Sequence, residues 1–299
     1  MHNQRPMFEG FQRFTVERDG VRLQCRRAGC GEPLLLLHGH PQTQAMWHRV
    51  APALAQRFTV LLMDLRGYGD SSRPAPGEGG AAYAKREMAL DAMAVMRAQG
   101  FERFQVLAHD RGARVAHRLA ADHSDAVERL MLLDIAPTLA MYEHAGREFA
   151  QAYWHWFFLI QPPPLPEALI ESDPVRYVRS VMGARHGGLA NFDAAALAEY
   201  QRCAAIPGTA AGICGDYRAS AGIDLAHDRQ DVATGHRLAQ PLRVLWGEHG
   251  VVHRCFDVLA LWRERAVQPT GRTLPCGHYL AEESPHQVID EAFSFFRST

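Results

Sequence analysis

The chain has 299 residues, of which 47% are hydrophobic, and its formal net charge at pH 7 is −1. This charge excludes the broad electrostatic attraction that generic binding to nucleic acid or to an anionic membrane needs, and the length fits one large domain or a domain with an insertion. The six cysteines lack zinc-ligand spacing, and no run approaches the roughly 20 apolar residues of a membrane span. We therefore expect a cytoplasmic protein with free thiols and with neither a metal nor another cofactor.

The first half of the chain alternates between strand-like and helix-like segments. Residues 11–28 alternate in polarity around Asp19-Gly20, which predicts a β-hairpin. Continuous apolar runs end at "PLLLLHG" (33–39), "FTVLLMD" (58–64), "FQVLAHD" (104–110) and "RLMLLDIA" (129–136), with helix-like segments near 45–55, 84–99 and 113–122. This alternation predicts a doubly wound, mostly parallel α/β sheet.

The alternation stops after Pro137. Residues 138–235 have aromatic and helical character, whereas strand character returns at 241–247 and 271–275, with helix-like segments at 253–265 and 285–297. The simplest organisation is an α/β core of residues 1–137 and 236–299 with a helical cap, residues 138–235, inserted between them. Such an insertion would lie over the carboxyl ends of the strands, where open α/β sheets bind ligands.

Three chemically distinctive side chains follow predicted strands: Asp110, Asp134 and His278. Because a parallel sheet brings the carboxyl ends of its strands together, these residues are candidates for nucleophile, orienting acid and general base. A carboxylate that attacks saturated carbon forms an ordinary ester, which water can then hydrolyse. An aspartate nucleophile therefore indicates displacement at sp3 carbon, either carbon–halogen cleavage or epoxide opening.

The turn Ala108-His109-Asp110-Arg111-Gly112 resembles the nucleophile elbow of α/β-hydrolases, and the "HGHP" loop at 38–41 resembles their oxyanion loop. An acid one strand after the nucleophile is similar to one branch of the dehalogenases. With "HDRGAR" (109–114), "DLRGYGDSS" (64–72), "AYWHWFF" (152–158) and "CGDYRA" (214–219), the chain resembles fluoroacetate dehalogenases over nearly its whole length.

The resemblance implies that Arg111 and Arg114 bind the carboxylate of a small haloacid, a planar anion that arginine matches well. The backbone N–H groups of His40 and Arg111 would stabilise an oxyanion. Three hydrogen-bond donors would surround the departing halide, namely His155, Trp156 and Tyr217. The resemblance also implies a homodimer.

The chain departs from the family pattern at Ala108, where glycine is usual, and at His40, where phenylalanine is frequent. The segment "MGARHGGLANF" (182–192) lacks an expected tryptophan, which leaves fluoride and chloride both open as leaving groups. Each site residue also has a structural interpretation: the aspartates as a helix cap or surface acid, the arginines as ion-pair partners, and the aromatic residues as core. Other functions also stay open: an epoxide hydrolase, a dehalogenase of neutral haloalkanes, and a non-catalytic small-molecule receptor on the same fold.

Overall fold

The computed structural model describes residues 7–297. Eight strands form one sheet in the order β1-β2-β4-β3-β5-β6-β7-β8. The strands are β1 Gln12–Arg18, β2 Val21–Ala28, β3 Pro33–Leu37, β4 Thr59–Met63, β5 Phe104–His109, β6 Val127–Leu133, β7 Leu242–Gly247 and β8 Pro269–Leu274. β2 pairs antiparallel with β1 and β4, and all pairs from β4 to β8 are parallel. The predicted α/β architecture is therefore confirmed.

The predicted hairpin is present, with Arg18 paired to Val21 across the two-residue turn. Asp19 and Gly20 have φ angles of 50° and 76°, which two-residue hairpin turns require and which aspartate and glycine tolerate. Every residue of β3, β4 and β5 is buried. Since successive residues of a strand face opposite sides, both faces of the central sheet are covered, which explains the continuous apolar runs.

Fifteen α-helices are described. They are α1 Ala51–Leu54, α2 Lys85–Ala98, α3 Asp110–Asp122, α4 Thr138–Glu143, α5 Arg147–Ala152, α6 Trp154–Phe158, α7 Leu165–Ser172, α8 Pro174–Gly183, α9 Ala194–Ala204, α10 Thr209–Ala221, α11 Ile223–Thr234, α12 Val251–Cys255, α13 Val258–Arg265, α14 Leu280–Glu283 and α15 Pro285–Phe295. Short 3-10 helices occupy Gln44–Trp47, Glu78–Tyr83 and Gly188–Asn191. None of the described helices is long and apolar enough to cross a bilayer.

Three predicted helices differ in detail from the structure. The segment near 45–55 contains a 3-10 helix and the short α1 instead of one helix. The segment 253–265 is divided because Phe256 is extended and the Asp257 side chain accepts a hydrogen bond from the Ala260 N–H, which starts α13. Helix α3 begins at Asp110, three residues earlier than its periodicity indicates, so the candidate nucleophile lies at the junction of strand and helix.

Residues 138–234, all of them described, contain helices α4–α11 and no strand. This helical segment packs closely on the 3-10 helix Glu78–Tyr83 that follows β4, since a Cβ atom at Gly80 would lie 2.1 Å from the carbonyl oxygen of Gly215 in α10. The approach places α10 beside the segment that follows β4, and Asp216 of α10 pairs with Arg111 at the start of α3. The division of the chain into core and cap domains stays a prediction.

Candidate active site

Asp110 lies in a sharp turn between β5 and α3, and its φ angle is 45°. A non-glycine residue in this left-handed region is strained, and such strain concentrates at functional sites. Two glycines make the turn possible. A Cβ atom at Gly39 would lie 2.5 Å from the Cβ atom of Asp110, and one at Gly112 would lie 2.3 Å from the carbonyl oxygen of His38. Side chains at these two positions would force the carboxylate and the oxyanion loop apart.

The three predicted catalytic side chains meet at the carboxyl ends of β5, β6 and β8, the last of which is an edge strand. The His278 Nδ1 atom lies 2.6 Å from Asp134 Oδ2, and its Nε2 atom lies 4.0 Å from Asp110 Oδ2. The other oxygen of Asp134 accepts a hydrogen bond from the Gly247 N–H at 2.9 Å. Asp134 is thereby fixed, and it can hold the imidazole with Nε2 directed at the candidate nucleophile.

The oxyanion loop contacts the same carboxylate. The backbone N–H of His40 donates a hydrogen bond to Asp110 Oδ1 at 3.0 Å, while a role for the Arg111 backbone N–H stays a prediction. The His40 ring is buried against the His155 ring, and its Nε2 atom lies 3.0 Å from the Tyr177 hydroxyl. Burial lowers the pKa of His40 to about 3, so the ring is a neutral polar wall of the site.

Asp110 is 3% exposed, and burial alone would raise the pKa of its carboxyl group. The positive charges of His278, His109, Arg114 and Arg111 outweigh burial and hold this pKa well below its ordinary value. Burial lowers the pKa of His109 itself to about 4, and this ring is therefore neutral near neutral pH. The two arginines remain charged under the same conditions. Asp110 is therefore ionised and able to act as a nucleophile.

Arg111 is completely buried and forms a bidentate ion pair with Asp216 in α10. Its Nε atom donates to Asp216 Oδ2 at 2.9 Å, and its Nη2 atom donates to Oδ1 at 2.7 Å. The guanidinium also lies 4.0 Å above the Tyr217 ring. Only Nη1 lacks a hydrogen-bond partner among the described residues. The ion-pair interpretation therefore applies to Arg111, which keeps one free nitrogen for a ligand.

Arg114 is also buried, but no carboxylate within residues 7–297 lies at ion-pair distance from it. Its Nη1 atom donates to Thr138 Oγ1 at 2.8 Å, its Nη2 atom contacts Met141 Sδ at 3.2 Å, and its Nε atom has no described partner. The guanidinium lies 4.7 Å from the centre of the Trp156 ring. A buried cation without a counter-charge is costly, so Arg114 is suited to an anionic ligand.

The three predicted halide ligands lie together. The ring of Tyr217 is 5.8 Å from that of His155 and 6.3 Å from that of Trp156. The Trp156 Nε1 and Tyr217 Oη atoms are buried, and neither has a hydrogen-bond partner among the described residues. Since buried donors are nearly always satisfied, this pair indicates a place where a ligand accepts hydrogen bonds.

Comparisons with known proteins agree with this geometry. A family model for the alpha/beta hydrolase fold matches residues 32–166. The chain is 43% identical to a fluoroacetate dehalogenase from Burkholderia sp over 296 residues, which cover 98% of this chain and 97% of that protein. The chain belongs to the α/β-hydrolase family.

Two further similarities place this α/β hydrolase among its relatives. A soluble epoxide hydrolase from Corynebacterium sp. (strain C12) is 36% identical over 286 residues, covering 93% of this chain and 94% of that protein. A crystal structure of a protein classed as an α/β hydrolase from Nostoc sp PCC 7120 is 51% identical, with a TM-score of 0.93 and coverage of 95% and 97%.

Sequence reasoning missed one buried charge network of this hydrolase. Asp216 forms an ion pair with Lys85 as well as with Arg111, and it accepts a hydrogen bond from the Tyr68 hydroxyl at 2.8 Å. Lys85 Nζ also lies 3.6 Å from Asp224 Oδ2. Asp216 stands within the "CGDYRA" motif, and Lys85 is the only lysine of the sequence. A single lysine in an arginine-rich chain was the available signal.

The described residues of the hydrolase, 7–297, contain no group of three or more His, Cys, Asp or Glu side chains placed to hold a metal ion. What the site offers is an ionised carboxylate, a histidine oriented by a second carboxylate, two arginines and two unpartnered donors.

Proposed function

We propose that this hydrolase cleaves the carbon–halogen bond of short 2-haloacids such as fluoroacetate. The observation that carries the proposal is that Arg114, a buried cation with no carboxylate at ion-pair distance within residues 7–297, lies near the ionised Asp110. A small substrate with a carboxylate at one end and a reactive carbon at the other end fits both features. The similarity to the Burkholderia fluoroacetate dehalogenase supports the same substrate class.

In the first step, Arg114 and the free Nη1 atom of Arg111 hold the substrate carboxylate. An oxygen of Asp110 attacks the 2-carbon, an ester bond forms, and the carbon–halogen bond breaks with its electron pair leaving on the halide. The halide accepts hydrogen bonds from the three donors that the family resemblance implies: His155, Trp156 and Tyr217. Fluoride gains most from these donors because it is a poor leaving group and a strong hydrogen-bond acceptor.

In the second step, His278 takes a proton from water, and the water oxygen attacks the carboxyl carbon of the Asp110 ester. The developing oxyanion faces the His40 N–H, and Asp134 stabilises the imidazolium that forms. The ester bond then breaks, and fluoroacetate leaves as glycolate. One proton, one halide and one hydroxyacid are produced for each water consumed.

The helical segment, residues 138–235 in the predicted division, would act as a cap, because it supplies His155, Trp156 and Tyr217 to a triad that the remaining chain provides. We also propose a homodimer in the cytoplasm, on the sequence composition and the family resemblance.

Epoxide opening is the second candidate, and the Corynebacterium relative favours it. A neutral oxirane gives the charge of Arg114 no partner, which is why the haloacid is preferred. A receptor without catalysis does not need the ordered set of Asp110, Asp134 and His278.

The test compares fluoroacetate, chloroacetate and a styrene-type epoxide, with halide and diol release as readouts. We expect halide from the two acids and none from an Asp110→Asn variant. Diol from the epoxide, with no halide from either acid, would replace the proposal by the second candidate. A single turnover with enzyme in excess in heavy-oxygen water should label Asp110 and leave glycolate unlabelled. Labelled glycolate with unlabelled Asp110 would exclude the ester.

A further inference from the structure

A cavity of about 210 Å³ lies between the helical segment and the segments that follow β7 and β8. His278 is at its buried end, while Trp154, His186, His249 and Arg254 are exposed. This cavity, which we call the vestibule, therefore connects the protein surface with the catalytic histidine. Arg185 completes its wall.

The lining of the vestibule is basic. It includes two arginines and three histidines, and none of its lining residues is an aspartate or a glutamate. Arg254 is paired with Glu148 at 3.0 Å, outside the cavity lining. The ring centres of His186 and His249 lie 4.5 Å apart, with the ring planes tilted by 36°.

Arg185 is the free cation of this lining. Within the described part of the chain, no carboxylate lies at ion-pair distance from it. Its Nη1 atom donates to the Ala152 carbonyl at 3.1 Å, and its buried Nε atom has no partner. The guanidinium lies 4.2 Å from the centre of the Tyr153 ring, which in turn contacts the His155 and His278 rings. Arg185 thus stands between the surface and the catalytic centre, in the segment 182–192 where a tryptophan was expected.

We propose that the vestibule is an anion-binding subsite, in which Arg185 holds the carboxylate of an incoming haloacid before it reaches Asp110. A cleft lined by one sign of charge concentrates ions of the other sign and accelerates their entry. The haloacid as occupant rests on the proposed function, whereas the anion site itself is testable without it.

The direct test uses iodide, an anionic quencher of tryptophan fluorescence. Trp154 lines the vestibule and is 40% exposed, whereas the other four tryptophans are at most 9% exposed. Arg185→Met should lower the iodide quenching constant about threefold, the effect of one nearby charge in a solvated site. Quenching by neutral acrylamide should not change. Arg185→Lys keeps the charge and should keep most of the iodide quenching.

Arg179→Met is the matched control, because Arg179 is exposed on α8 and lines a different cavity. Acetate should compete with iodide in the wild-type protein and not in Arg185→Met. Equal iodide quenching of wild type and Arg185→Met would overturn the proposal, as would an equal loss in Arg179→Met. These outcomes do not depend on dehalogenase activity.

The kinetic test separates the vestibule from the reaction. For fluoroacetate, Arg185→Met should raise KM about fivefold at low salt, with kcat unchanged, and should flatten the decline of kcat/KM with ionic strength. A fall in kcat with KM unchanged would place Arg185 in the chemical step and contradict a subsite role. If the wild-type protein releases no halide, the proposed function fails, and the iodide measurement alone decides on the vestibule.

Discussion

Replacement of Asp216 by asparagine tests whether the buried charge network serves the site or only the fold. Asp216 is completely buried and receives hydrogen bonds from Arg111 and Tyr68 together with the charge of Lys85. Asp216→Asn would leave Lys85 paired with Asp224 alone, and it would leave Arg111 without an ion-paired carboxylate among the described residues. The pKa of Asp216 lies well below its ordinary value because the two cations outweigh burial, so the carboxylate is charged throughout the neutral range.

Removing one partner of a buried ion pair costs about 3–5 kcal/mol. With an unfolding entropy of roughly 2.1 cal/mol/K per residue, a chain of 299 residues should lose about 5–8 °C of Tm. Asp216→Asn should also weaken substrate binding, because Arg111 Nη1 is no longer fixed beside the substrate carboxylate. We expect KM for fluoroacetate to rise about tenfold, which corresponds to roughly 1.4 kcal/mol, with a smaller change in kcat.

Asp91 provides the matched control. It is 1% exposed and receives two hydrogen bonds of 2.6 Å from Arg66, so Asp91→Asn breaks an equally buried pair outside the site. Calorimetry should show similar losses of Tm for both variants, and only Asp216→Asn should change KM. The double variant Asp216→Asn with Lys85→Met removes one charge of each sign and should regain part of the lost Tm. If Asp216→Asn leaves KM at the wild-type value, the network supports only the fold and our interpretation is refuted.

Three further predictions address single side chains. Arg114→Met keeps the packing on Trp156 but removes the charge, and it should raise KM for fluoroacetate about 10–100-fold in steady-state assays; an unchanged KM would exclude Arg114 from carboxylate binding. Tyr217→Phe should lower kcat about tenfold or more for fluoroacetate and less for chloroacetate, and equal losses would exclude a fluoride contact. Burial raises the pKa of Glu282 to about 7, so the folded state keeps a proton that the unfolded state releases above about pH 4.5. Glu282 alone should therefore lower the stability by roughly 3 kcal/mol between pH 4.5 and 7. Buried histidines with lowered pKa values, such as His40 and His109, act in the opposite direction, so urea titrations should show a stability that rises more steeply with pH in Glu282→Gln than in the wild-type protein.

The central sheet was predictable because its pattern is local. Buried parallel strands are continuously apolar, and β3, β4, β5 and β6 appear as such runs in the sequence. The positions of Asp110, Asp134 and His278 followed from the same fact, because residues after parallel strands meet at one edge. Helix boundaries were less accessible where a side-chain cap decided them, as with Asp257.

The helical segment was harder to predict, since its helices contact distant parts of the chain. Periodicity indicates that α10 is a helix, but not that it packs on residues 78–83 and brings Asp216 to Arg111. The vestibule could not be predicted for the same reason, because Arg185 and His278 are 93 positions apart in the sequence and meet only through tertiary packing.

The two arginines of α3 show what this difference means for function. In sequence they are equivalent candidates, three positions apart on one helix face. In the structure, Asp216 neutralises Arg111 and fixes its orientation, whereas Arg114 keeps its full charge. The anionic substrate therefore meets one arginine that supplies net charge and one that supplies a positioned hydrogen-bond donor. In an empty pocket, two unpaired buried guanidinium groups would repel each other. Because Asp216 pairs with one of them, this repulsion is reduced, while both guanidinium groups can still donate to the substrate carboxylate.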